Sequence, residues 1–101
     1  MRQTLTLATA CINTTPLDLD GNLALIRQAV TEAQAARADL LLLPELALTG
    51  YGCEDMFFVA DWLDSLPGEL MALAQSLPEQ LLVAVGFPLH VPGGQVFNGV
   101  A

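Results

Sequence analysis

A chain of 101 residues has room for one small domain. With 53% hydrophobic residues, 14% charged ones and a mean hydropathy of +0.53, its composition excludes intrinsic disorder. Three arginines and no lysine stand against eleven acidic residues, and the net charge of −8 makes a phosphate backbone a poor partner, which argues against nucleic-acid binding.

The apolar stretch from Leu81 to Leu89 contains Gly86 and Pro88 and is far shorter than the ~20 residues of a spanning helix. Near the N-terminus, Thr4, Thr6 and Thr9 interrupt any signal-peptide block. Cys11 and Cys53 are far apart and lack metal-type or CxxC spacing, which fits a reducing cytoplasm. Cys11, within an apolar run, reads as core. High apolar content on so short a chain also suggests that part of this surface is meant to be covered from outside.

Thr4 to Ile12 reads as a strand buried on both faces. Asn13 to Asn22 is a loop ending in helix-start chemistry, with Asp20 as the expected N-cap. From Leu23, the positions Leu23, Ile26, Val30 and Ala33 recur at helical spacing, with Arg27, Gln34 and Arg37 opposite; the helix should end near Arg37 or Ala38. Leu40 to Leu43 is too short for a helix and predicts a second, parallel strand, making a βαβ unit. Glu45 to Cys53 is a loop. Glu54 to Leu66 and Pro67 to Leu77 read as two helical segments, the second opened by Pro67 or Gly68. Leu81 to Phe87 is a third buried strand, Pro92 to Gln95 a turn, and Val96 onward a fourth strand.

Glu45 is the sharpest chemical feature. It comes immediately after a buried strand, where open α/β sheets place their ligand sites. Flanked by Leu43, Leu46 and Leu48, its carboxylate is expected to be partly desolvated and suited to general-base work. Against that functional reading, the residues alone favour a plain loop carboxylate or a cap for a following helix. Tyr51, between two glycines, is either a hydroxyl in the same pocket or an aromatic packed on the sheet edge. Glu54 and Asp55 beside Cys53 oppose a thiolate, so Cys53 reads as structural. His90 is the sole histidine and reads as a solvated turn residue. The pairs Asp18/Asp20 and Glu54/Asp55 read as helix-start charges without metal-loop spacing.

The run Leu42-Leu43-Pro44-Glu45-Leu46-Ala47-Leu48-Thr49-Gly50-Tyr51 resembles the glutamate motif of the nitrilase (carbon–nitrogen hydrolase) superfamily. Gly86-Phe87-Pro88 and Phe97-Asn98 are similar to later steps of the same family, in the same order. The extension Tyr51-Gly52-Cys53-Glu54-Asp55 is similar to the amidase domains of its glutamine-dependent NAD synthetase branch. This resemblance implies an α/β fold, part of an αββα sandwich, with about four strands and flanking helices. It implies that residues 1–101 are the N-terminal part of a glutaminase domain, with the rest of that domain and a synthetase domain beyond Ala101.

In that family a Glu–Lys–Cys triad hydrolyses the amide. Glu45 matches the glutamate, the general base, and Tyr51 a tyrosine lining the glutamine pocket; no lysine is present, and neither cysteine matches the nucleophile. The chain by itself is therefore expected to be inactive. The resemblance implies glutamine as substrate and no cofactor or metal in this segment. It assigns ATP and magnesium to the synthetase domain, and implies a homo-oligomer when complete, in the cytoplasm. A free-standing nitrilase-type amidase and a non-catalytic α/β interaction module remain the alternatives.

Overall fold

The computed structural model describes residues 4–53, 56 and 59–101, so the reading of Glu54 and Asp55 as helix-start charges lies outside the described residues. The described elements run β1 (Leu7–Thr9), α1 (Leu19–Ala35), β2 (Leu40–Leu42), α2 (Ala60–Gln75), β3 (Leu82–Ala84), β4 (Gly86–His90) and β5 (Val96–Val100). β1, β2 and β3 form a parallel sheet in that order, and β4 pairs with β5 as an antiparallel hairpin. The expected βαβ unit is present.

The strands are in register, so Leu7, Leu40 and Leu82 stand side by side, with Thr9, Leu42 and Ala84 on the next rung of that face. Ala8, Leu41 and Val83 point the other way, towards a core that both helices supply. Leu23, Ile26, Val30 and Ala33 of α1 meet Leu63, Leu66 and Leu73 of α2 there, as the helical spacing of α1 predicts.

The opposite face is uncovered. Leu82 is 69% exposed and Leu7 53%. The expectation that the first strand is buried on both faces is thus corrected, because both helices lie on one side. Cys11 is corrected as well: it is exposed just past β1, rather than part of the core.

Local chemistry moved several boundaries. The N-cap of α1 is Asp18, not Asp20; its side chain accepts from the Gly21 amide at 3.0 Å, and Asp20 lies in the first turn. At the far end, Arg37 adopts φ 56° and the Ala38 amide donates back to the Ala33 carbonyl at 3.0 Å, closing the helix. Pro67 opens no second helix but lies inside α2. A proline in a helix interior costs ~3 kcal/mol, yet Leu63, Leu66 and Leu73 continue one buried stripe on both sides of it, and breaking the helix there would divide that stripe.

The expected third strand divides at Val85. Before it, β3 joins the parallel sheet; after it, β4 pairs with β5, and Val85 itself exchanges both backbone hydrogen bonds with Ala101 at 2.9 Å. Gly93 and Gly94, at φ 103° and 88°, supply the left-handed backbone of the hairpin turn. His90 belongs to β4 rather than to a turn. Its Nδ1 lies 2.8 Å from an Asp64 carboxylate oxygen on α2, and its side chain is 17% exposed.

Candidate active site

Glu45 leaves the C-terminal end of β2 one residue after Pro44 and opens a tight loop. Leu46 takes φ 51°, a conformation that costs a non-glycine residue ~1–2 kcal/mol. Such strain persists only where the surroundings over-determine it, and here they do. The Gly50 amide donates to the Leu46 carbonyl at 2.8 Å, the Leu48 amide to the Gly86 carbonyl at 3.1 Å, and the Leu43 amide to the Ala84 carbonyl at 3.2 Å.

Asn22 fixes the same loop from the inside. It is 1% exposed, and its Nδ2 donates to the Leu48 carbonyl at 3.1 Å and the Thr15 carbonyl at 2.9 Å, while its Oδ1 accepts from the Thr15 amide at 2.8 Å. A second tie joins the two loops, from the Leu17 amide to the Thr49 carbonyl at 2.9 Å. Gly50, at φ 77°, lies against the Thr15–Pro16 peptide at a separation that a Cβ would reduce to 3.0 Å.

The Glu45 side chain borders a cavity of about 400 Å3 lined by Leu42, Pro44, Ala84, Gly86, Asn98 and Val100, among others. The Asn98 Nδ2 donates to Glu45 Oε1. The sequence places Asn98 in the fourth strand and carries no direct sign of this contact. The available signal was an asparagine inside a strand, a residue depleted there unless something holds its side chain.

Desolvation of Glu45 is corrected: the residue is exposed, because Leu48 turns into the core and the cavity opens on solvent. Tyr51 is not brought to this cavity. It stands 53% exposed between Gly50 and Gly52, both left-handed. Cys53 is buried, and its thiol points to the Thr49 and Gly50 carbonyls, each 3.4 Å away. That is a structural setting.

The sequence of residues 6–100 matches the carbon–nitrogen hydrolase family. The chain belongs to that family. Among individual relatives, it is 40% identical over 81 residues to a glutamine-dependent NAD(+) synthetase of Synechocystis sp., an alignment spanning 80% of this chain and 14% of the relative. The crystal structure of a glutamine-dependent NAD(+) synthetase from Cytophaga hutchinsonii superposes with a TM-score of 0.90 at 34% identity, over 97% of this chain and 17% of that one. An amidase from Nesterenkonia sp. superposes with a TM-score of 0.69 at 27% identity, over 99% of this chain and 38% of that one. The carbon–nitrogen hydrolase segment thus spans about one seventh of the Synechocystis relative. These likenesses agree with the partial nitrilase-type α/β fold. Among the described residues, no helix is long and apolar enough to cross a membrane.

Proposed function

We propose that residues 1–101 are the N-terminal part of the glutaminase domain of a glutamine-dependent NAD synthetase, with Glu45 as general base. The observation that carries this reading is the position of Glu45, at the C-terminal end of a parallel strand, bordering a cavity, on a loop tied at Leu46, Leu48 and Gly50. The superposition on the Cytophaga synthetase supports that branch over a free-standing amidase.

Amide hydrolysis through a thiol needs a nucleophile, a group to take its proton and a cation or donors facing the developing oxyanion. Glu45 serves the second need; a lysine and a cysteine beyond Ala101 serve the others. The thiol proton passes to Glu45 as sulfur attacks the glutamine carboxamide carbon, and returns to the departing nitrogen as ammonia leaves a γ-glutamyl thioester. Water then releases glutamate. Tyr51 keeps its assignment to glutamine binding on its match to the family's tyrosine; it is half exposed and does not line the Glu45 cavity.

Among the described residues, no group of three or more His, Cys, Asp or Glu is placed to hold a metal ion. This reading assigns magnesium and ATP to the synthetase domain, where ammonia amidates nicotinic acid adenine dinucleotide. It also includes a cytoplasmic location and a homo-oligomer for the complete protein.

The test is Glu45→Gln in the longer protein. Loss of glutamine-driven NAD formation with ammonium-driven formation retained is the expected result. Retention of both activities overturns the role of Glu45, and loss of both assigns it to folding instead.

A further inference from the structure

The carboxylate of Glu45 has two oxygens, and general-base chemistry needs one of them aimed and unoccupied. Among the described residues, a single polar side chain reaches it: Asn98, whose Nδ2 donates to Oε1. The hairpin register explains how. Asn98 lies opposite Pro88 and Val100 opposite Gly86, so Asn98 and Val100 share one face of β5, and both line the Glu45 cavity. Gly86 in turn lies beneath the Glu45–Leu46 peptide, so β4 and β5 present a donor to a carboxylate whose backbone they also contact.

We infer that Asn98 is a positioning residue for the Glu45 base: its amide holds Oε1 and turns Oε2 towards the cavity to take the nucleophile's proton. An amide suits this task. It donates without carrying charge and does not itself exchange the proton, whereas an arginine fork would occupy both oxygens. The two arginines among the described residues lie elsewhere: Arg27 donates to the Ser76 hydroxyl, and Arg37 sits in the closing turn of α1. This inference rests on the proposed role of Glu45, and the experiment separates the two.

In the longer protein that carries the lysine and the cysteine, Asn98→Leu, Asn98→Ala and Asn98→Asp are compared with Glu45→Gln, using glutamine and ammonium in turn. A hydrogen bond to a charged group is worth about tenfold or more. Asn98→Leu and Asn98→Ala should therefore lower glutamine-driven kcat about tenfold, with KM little changed and the ammonium-driven rate intact. Asn98→Asp, the isostere, should be the most impaired, because it faces one carboxylate with another.

A residue that merely fills the strand gives the reverse order, with Asp best tolerated. Wild-type kcat in Asn98→Asp, a rise in KM at constant kcat, or equal losses with glutamine and ammonium each overturn the inference. If Glu45→Gln is inactive with glutamine while Asn98→Asp is fully active, the role of Asn98 alone fails. If Glu45→Gln keeps its glutamine-driven activity, the base itself is misassigned.

Discussion

Gly86 lies so close to the Glu45 loop that a Cβ on it would stand 2.6 Å from the Leu46 amide nitrogen and 3.0 Å from the Pro44 carbonyl oxygen. These are backbone atoms, which cannot swing aside as a side chain can. The Gly-Phe-Pro step of β4 is therefore a steric seat for the Glu45 loop. It also explains how Leu46 is kept at φ 51°.

Gly86→Ala should consequently displace the Glu45 loop. Overpacking of this kind costs ~1–3 kcal/mol, and misplacing a reacting group by about 1 Å can cost ~100-fold in rate. The expected outcome in the longer protein is a loss of glutamine-driven turnover of that order, with ammonium-driven synthesis much less affected. Near-normal glutamine use by Gly86→Ala would show that the loop has slack.

Asn22→Leu should destabilise the fold. It removes the three hydrogen bonds that join the Thr15 and Leu48 loops, and each buried backbone group left unsatisfied costs ~1–3 kcal/mol. A drop of about 2–4 kcal/mol in unfolding free energy is expected, measured by denaturant titration. A change below about 0.5 kcal/mol, the scale of ordinary surface substitutions, would mean that the loops hold without Asn22.

The face carrying Leu7, Leu42 and Leu82 is open to solvent in residues 1–101. Contiguous apolar patches beyond a few hundred Å2 are rare on soluble monomers. The isolated segment should self-associate and bind a hydrophobic dye, and Leu7→Ser with Leu82→Ser should reduce both effects. A monodisperse segment with no dye binding contradicts this.

The two thiols should respond differently. Cys11 is exposed and Cys53 buried, so an aromatic disulfide reagent should label one thiol in the folded segment and both after denaturation. In the longer protein, Cys53→Ala should keep glutamine-driven activity within about twofold and cost ~1 kcal/mol of stability, as small core truncations do. Loss of activity at unchanged stability would make Cys53 a participant in the chemistry.

Much of this architecture is legible in the chain itself. The spacing of Leu23, Ile26, Val30 and Ala33 determines the buried stripe of α1, and the four-leucine run after Asp39 determines a parallel strand. Pro44 ending that run places Glu45 at the strand's C-terminal end. These features are local: a period of residues or a stop signal acts within a few turns of chain, whatever surrounds it.

Other features depend on which faces meet. Leu7 and Leu82 look like core residues in sequence, yet they are exposed because α1 and α2 pack on the same side of the sheet. Pro67 looks like a helix start, but the leucines flanking it share one buried stripe. Val85 looks like mid-strand, and only its pairing with Ala101 divides β3 from β4. The Asn98–Glu45 and Asp64–His90 contacts join residues 53 and 26 positions apart. No periodicity carries such information, because side-chain hydrogen bonds between distant elements exist only once packing has brought their backbones together. The sequence by itself determined α1, the parallel strand before Pro44 and the position of the carboxylate; the tertiary structure decided where α2 and the later strands begin and end, which surfaces are buried and which amide holds that carboxylate.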